Sequence, residues 1–582
     1  MNEAQAHIYE FGDFRLDASK HLLLKRDGEP VPLTPKVFET LLYLLQHRGT
    51  GLAKEELMKA IWPDTIVEEN NLSHNISVLR RVFGEVRAGH RYIVTVPGWG
   101  YRFVAEVRTT EKSASVSLVA PMRAIVVLPF RPLVAEARDA ALELGMAETL
   151  ITRLSSRAIV VRPISSVRKY MDLDQDPLAA GRELRVEFVL DGSIQRCGDQ
   201  IRVTARLVNV TSGAAIWSGT FDEKFTSIFA VQDVISEKVA GALALGLTTV
   251  EKMRLTKRYT ENTEAYRAYL NGLYYWYKYP APGYEKSRDY FQRAIDLDPS
   301  YALAYTGLAD YYGFASANGL LPPNENWPKV EAAANRALAL DETLADTYNP
   351  QAAVKLYYYR DWSAAERSFR RGIELNPNSP EIRHHYAMCL VLFGRNEEAI
   401  TEMQRASELD PLALRNNLDR GKIFFFIREY DQAIDQFRKT LELEAPFAAA
   451  HEFLGYAYEQ KGMHKEAVAQ WSKALTSIGA GEQASSLERT YAASGFEMAV
   501  RALARQRLEK LNDKRNRGAY VPAIEYVTAY TRLADKEQAF VWLHKAVRER
   551  NRLALELKVN PIYDKLRDDP RFAATVKCMR LA

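Results

Sequence analysis

The spacing of apolar residues changes character three times along the chain. From 33 to 49, LTPKVFETLLYLLQHRG carries apolar residues at helical spacing behind Thr34, a capping residue, and Pro35, suited to the first helical position; the run stops at Gly49. KEELMKAIW (54–62) continues the helical pattern, and VEENNLSHNISVLRRVFG predicts a third helix that ends at Gly84. Residues 91–103, RYIVTVPGWGYRF, instead predict two β-prone runs around a Pro-Gly-Trp-Gly tip. VRTTEKSASVSLVAPMR (107–123), rich in small and polar residues, interrupts the pattern. From there to about residue 250 the spacing predicts the order β-α-β-α-β-β-β-α, including IVVLPF (125–130), the helix 140–156, and two long strands joined through Cys-Gly-Asp. Beyond it, nearly every segment is helical.

The expected fold class is therefore multidomain. An α+β helix-turn-helix block with a hairpin wing spans 1–107, a linker 108–122, a small α/β domain 123–248, and an all-α array 258–582. In the array FQRAIDLDP, FRRGIELNP and MQRASELDP recur. Ala294, Ala337, Gly372, Ala406, Thr440 and Ala474 mark one equivalent position at intervals of 43, 35, 34, 34 and 34 residues. This period, with Leu454, Gly455, Tyr458, Ala467 and Trp471 at packing positions, resembles the tetratricopeptide repeat family. Seven good repeats and one doubtful one are expected. The excess in the 43-residue interval falls in GFASANGLLPPNENWP, expected as a loop. The resemblance implies a solenoid presenting a concave face to a protein or peptide partner; a plain spacer is the alternative. Tyr357, Tyr358 and Tyr359 are either groove contacts or inter-repeat core.

A chain of 582 residues exceeds what one core supports, and a net charge of +4 on that length says little about partners. Cys197, Cys389 and Cys578 lie far apart, which argues against disulfides or a cysteine-rich zinc site. No secretory signal is legible at the start, and VAGALALGLTTV (239–250) is too short to span a bilayer, so a cytoplasmic protein without a membrane partner is expected. Nothing matches G-x-S-x-G, H-E-x-x-H or a P-loop, so no enzyme activity, catalytic residue, cofactor or metal is expected. Asp172, Asp174, Asp176 and Glu183 fit four positions of a calcium loop, but Pro177 stands where that loop needs glycine; a turn with helix capping is the reading preferred. His384 and His385, adjacent in a helix, point about 100° apart and make no ligand pair.

The third helix carries the functional signal. Leu72, Ile76, Leu79 and Phe83 share one stripe, while Asn70, His74, Ser77 and Arg81 fall roughly opposite it, bordered by Asn71 and Val78, with Arg80 to one side. Amides and a guanidinium beside a valine suit base edges and a thymine methyl in a major groove. The first 110 residues balance 14 basic against 14 acidic side chains, but residues 70–108 hold six arginines against two glutamates. That local excess would meet phosphates.

FGDFRLD, LTPKVFETLLYLL, KEELMKAIW, the ENNLSHNISVLRR helix and TVPGWGYRF, in this order, resemble the OmpR/PhoB-type winged-helix domain over residues 8–107. The resemblance implies a recognition helix around 68–83 and a wing over 91–103. It implies backbone contacts from Trp62, Arg80 and Tyr101, to which Trp99 and Arg102 of the wing are added here. Pro97 replaces the arginine that often enters the minor groove, which leaves Trp99 either to meet DNA or to pack on protein. A receiver domain before the block, and a membrane helix after it as in CadC- and ToxR-type regulators, are accordingly not expected. Residues 121–246, through VLPF, GREL, VLDGSI, RVTARLV and FAVQDVISEKVA, resemble the TolB-N-terminal-like domain, which implies a sensory or coupling module without a stated ligand. A transcriptional regulator of promoter DNA is expected. A repeat scaffold whose winged helix contacts protein is the alternative, and a homodimer on tandem half-sites accords with the fold class.

Overall fold

In the computed structural model, residues 7–581 are described except 18–21, 26–29, 32, 63–66, 68, 86–90, 106, 112–122, 133–137, 156–158, 172–175, 244–246 and 279–282. The chain forms two compact units, residues 1–120 and 121–582.

The first unit opens with β1 (His7–Phe11), β2 (Phe14–Asp17), β3 (Leu22–Lys25) and β4 (Pro30–Val31). Three helices follow, α1 (Pro35–Gln46), α2 (Lys54–Ile61) and α3 (Glu69–Val82), with β5 (Gly51–Ala53) between the first two. The wing is β6 (Ile93–Val96) and β7 (Gly100–Phe103), and β8 (Val107–Glu111) closes the unit. One sheet has the antiparallel order β4-β3-β2-β1-β8 and the other β5-β7-β6. The expected boundary at 107 falls short: all five residues of β8 pair with β1, Phe11 opposite Val107 and His7 opposite Glu111. A short polar strand on a sheet edge reads as linker, because it carries no apolar alternation in the sequence. The core joins Leu41, Leu44 and Leu57 of the first helices to Leu72, Ile76 and Leu79 of α3, all buried. Phe11 meets Phe83 and Phe103 edge to face at 5.7 and 5.3 Å.

The second unit begins with β9 (Ala124–Val127), β10 (Arg131–Pro132), α4 (Ala140–Leu154), β11 (Val160–Val161), α5 (Ile164–Val167) and α6 (Pro177–Glu183). Three long strands, β12 (Phe188–Cys197), β13 (Gln200–Asn209) and β14 (Ala215–Lys224), and the helix α7 (Ile228–Ala242) complete the α/β domain. β9 lies between β11 and β12, parallel to both, while β12, β13 and β14 are antiparallel neighbours. This is the expected α/β order with the short β10 and the one-turn α5 added. At the calcium-like pattern, Asp172 and Asp174 lie outside the described residues. Asp176 accepts the Leu178 N–H at 2.9 Å as the cap of α6, and Glu183 is engaged by Lys169 and Tyr170.

After α8 (Thr249–Leu255) the array runs through α9 (Thr263–Trp276), α10 (Lys286–Leu297), α11 (Ala302–Ala317), α12 (Pro323–Leu340), α13 (Tyr348–Ala353) and α14 (Trp362–Leu375). It continues with α15 (Pro380–Leu392), α16 (Asn396–Leu409), α17 (Leu414–Phe426), α18 (Tyr430–Leu443), α19 (Ala448–Gln460) and α20 (His464–Ser477). The last helices are α21 (Gly481–Asn516), α22 (Ala523–Leu533), α23 (Lys536–Arg548) and α24 (Pro570–Cys578). The doubtful repeat is a helix pair folded at one residue. Gly495 breaks α21 with φ +79°, and the two halves lie together, Gln506 donating to Ser486 at 3.3 Å and Lys510 to Gln483 at 2.5 Å. With it the described residues hold eight helix pairs.

The excess of the 43-residue interval is not a long loop. Most of it lengthens α11 and α12, leaving 318–322 between them. Pro323 starts α12, where its missing N–H costs nothing. The added turn buries Trp327, whose indole N–H donates to the Arg550 carbonyl at 3.4 Å, so the extension packs on the C-terminal segment. Tyr357 is buried and Tyr359 is half exposed with its hydroxyl on Glu331.

The α/β domain is built into the array. Arg162, after β11, donates to the carbonyls of Glu408 and Leu409 at the end of α16, at 2.8 and 2.6 Å. Asp410 accepts from Ser165 and Ser166, and Asn378 reaches the Ile159 carbonyl. α4 packs along α9, with Thr149 and Tyr266 hydroxyls 2.9 Å apart.

Candidate nucleic-acid interface

In the first unit α3 divides into a held side and a free side. Leu72, Ile76 and Leu79 are in the core, and Asn75 on the same flank is buried with them. Its amide donates to Thr40 Oγ1 at 2.9 Å and to the Lys36 carbonyl at 3.1 Å, fastening α3 to α1. Asn75 lies beside the apolar stripe in the helical period, and an amide there must find partners, a signal legible in the sequence. Asn75→Ala should cost the first unit about 1 to 2 kcal/mol by stranding these acceptors, measured by denaturant unfolding. An unchanged midpoint would remove the clamp.

The opposite side is open. Asn70, Asn71, His74, Ser77 and Arg81 are exposed and Val78 half-buried beside them. The Ser77 hydroxyl donates back to the Ser73 carbonyl at 2.8 Å, and Val78 also packs on the core. At the start of the helix Lys54 meets Glu69 at 2.8 Å, a hydrogen bond that raises the lysine pKa.

Arg80 is not a free cation. Its guanidinium donates to the Ile93 carbonyl at 3.0 Å and Thr95 Oγ1 at 2.8 Å, and lies 3.6 Å from Glu85. Glu85 accepts the N–H groups of Tyr92 and Ile93, so the end of α3 and the start of the wing are locked together. Tyr101 is buried at 6% exposure, its hydroxyl 3.5 Å from Ser73 Oγ. Trp62 caps the end of α2, half-buried, with Lys36 6.0 Å above its ring. Arg102, on the outer face of β7, is exposed.

The wing tip uses its two glycines differently. Trp99 N–H bonds the Val96 carbonyl at 3.0 Å around Pro97 and Gly98, and Gly98 has φ +72°, as the third position of a Pro-Gly turn of type II demands. Gly100 sits between β5 and β6, where a Cβ would lie 1.8 Å from the Leu52 carbonyl oxygen. Between them the Trp99 ring lies over Gly51, where a Cβ would come within 2.4 Å of it, yet 49% of the residue stays exposed. The tryptophan packs on its own domain with one face and is open on the other.

The comparisons follow this division. Residues 28–103 match the family described as transcriptional regulatory protein, C terminal. Residues 122–238 match the HilA/YgeH-like transcriptional regulator second domain. Residues 356–417 and 418–483 match tetratricopeptide repeats. The transcriptional regulator HilA of Salmonella typhimurium is 24% identical over 438 residues, covering 73% of this chain and 75% of its own. A Rhizobium meliloti protein named "Putative adenylate cyclase 3" is 30% identical over 186 residues, 32% of each chain. Among solved structures, the DNA-binding domain of E. coli CadC is 26% identical, covering 18% of this chain and 98% of its own, with a TM-score of 0.16. Among the described residues no helix is long and apolar enough to cross a membrane. The chain is a homologue of the HilA-like transcriptional regulators, with an OmpR/PhoB-type winged helix, a HilA/YgeH-like second domain and C-terminal tetratricopeptide repeats.

Proposed function

We propose that the first unit binds double-stranded promoter DNA with α3 in the major groove, and that the second unit controls this binding in the cytoplasm. The observation that carries the reading is the division of α3: one flank is clamped by Asn75, Arg80 and the core, while Asn70, Asn71, His74, Ser77 and Arg81 are exposed. These side chains read base edges and Val78 offers its methyls to thymine. Arg102 and the open face of Trp99 meet the sugar-phosphate backbone beside the wing. Trp62, Arg80 and Tyr101 border this surface; Arg80 and Tyr101 act chiefly by holding helix and wing in register, with phosphate contact through what they leave exposed. A dimer on tandem half-sites belongs to the same reading.

Arg81→Ala should weaken specific promoter binding by about 1 to 3 kcal/mol. Trp99→Ala should lower affinity for specific and unrelated DNA alike, as loss of a backbone contact does. Both are read in salt-titrated gel shifts. Unchanged promoter affinity of Arg81→Ala would sink the base-reading assignment, and absence of any salt-dependent DNA affinity would favour the scaffold reading. The partners of the repeats are proteins or small effectors. Because α4 already lies along α9, effector control is favoured over an open peptide groove.

A further inference from the structure

The first helices of successive repeats, α9, α11, α13, α15 and α17, line a cavity of about 300 Å³ together with α4 of the middle domain. Its walls carry ionisable groups that lack hydrogen-bond partners among the described residues. Glu148 of α4, Asp310 of α11 and Glu381 of α15 face it, and among the described residues no hydrogen bond or ion pair reaches any of the three carboxylates. Glu148 Oε2 has neither accessible surface nor partner. Tyr269 and Tyr277 lie close to these acids and Trp276 is on the same lining, while the Phe314 ring is already covered by Arg415 at 6.0 Å. Elsewhere on the lining, Arg552 from the C-terminal segment lies near Asp419 and Tyr357, and its Nε is likewise buried without a partner. Asp419 is answered already, by His384 at 2.8 Å and Lys422 at 3.2 Å.

Unpaired ionisable groups of both signs around one buried space are costly unless something complementary enters. Burial pushes Glu148 up to about 8 and Glu381 to about 7, with Asp346 raising both further and Arg415 opposing the shift at Glu381, so a bound cation would favour their ionised forms. A metal ion is a poor match: among the described residues no three His, Cys, Asp or Glu side chains converge as metal ligands do. An organic cation fits better, because carboxylates and aromatic faces both attract it. The volume is at the small end of ligand pockets, too small for a folded partner.

We propose that this cavity binds a small zwitterion of the basic amino-acid class, its cationic side group among Glu148, Asp310 and Glu381 and its carboxylate toward Arg552. Such a ligand would bridge the middle domain and the repeats, since Glu148 belongs to one and its partners to the other.

The test uses the full chain, thermal unfolding and calorimetric titration, with L-arginine, L-lysine and L-ornithine at millimolar concentration. Agmatine, which lacks only the carboxylate of L-arginine, and succinate, which lacks the cation, serve as controls. At least one basic amino acid should raise Tm with concentration, as a ligand of the native state does. For L-arginine, agmatine should bind about tenfold weaker or less and succinate should not bind. Glu381→Gln and Arg552→Gln should each weaken the amino acid about tenfold. Asp310→Asn replaces whichever of them fails to give the native circular dichroism spectrum. No response to any of the three amino acids overturns the proposal, as does agmatine binding as tightly as L-arginine, or folded variants that bind like the parent.

Discussion

Gly100→Ala should destabilise the first unit by about 3 kcal/mol or more, near the top of the range for overpacking, whereas Gly98→Ala, two residues away, should cost only about 1 kcal/mol. The contrast follows from what each glycine does. Gly98 has φ +72° with nothing within 4 Å of an added Cβ, so alanine meets backbone strain alone. At Gly100 the Cβ would fall 1.8 Å from the Leu52 oxygen and 2.8 Å from its carbonyl carbon. Backbone cannot step aside as a side chain can, because Gly100 is paired with Ala53 on one side and Val96 on the other. Relief would require separating β5 from the wing, and Trp99 would lose its seat on Gly51. Denaturant unfolding followed by tryptophan fluorescence measures both variants; equal costs would show that the close approach of β5 is not what demands Gly100.

Arg162→Ala should be the most damaging single change in the second unit, at about 3 to 5 kcal/mol. Arg162 is 5% exposed and bonds four carbonyls: Leu184 and Arg185 in its own domain, Glu408 and Leu409 in the repeats. Burial lowers its pKa to about 10, which still leaves it protonated at neutral pH. Positive charge against the final carbonyls of α16 is favourable, and removal strands them. Asp410, held by Ser165 and Ser166, would lose its nearby cation as well. The α/β domain and the repeats should then melt separately, giving two calorimetric transitions and earlier proteolysis between them. One unchanged transition would show that apolar packing of α4 on α9 suffices to join them.

Much of this architecture could be read in the residues. The 34-residue period located Ala294, Ala406 and Thr440 at buried helix crossings because close packing tolerates only small side chains there. The stripe Leu72, Ile76, Leu79 placed the outer face of α3 by simple rotation. Other elements escaped. β8 has too little apolar character to be seen as a strand, and the helix pair at Gly495 turns on one residue instead of a loop. The surplus turn of α12 reads as a loop because Pro323 and Pro328 are breakers in isolation, although a proline can begin a helix.

The candidate interface shows the same division. Periodicity could find Asn70, His74, Ser77 and Arg81, since exposure on a helix depends on angle alone. It could not find that Arg80 is tied to Ile93 and Thr95, that Asn75 anchors α3, or that Trp99 rests on Gly51, because each joins segments distant in the chain. What the sequence by itself determined is therefore the order and kind of the domains, through patterns repeated within each segment. Which ionisable groups are already paired, and which line the cavity, is set by the tertiary packing. Whether a side chain has a partner depends on what folding brings beside it, and local periodicity carries no record of that.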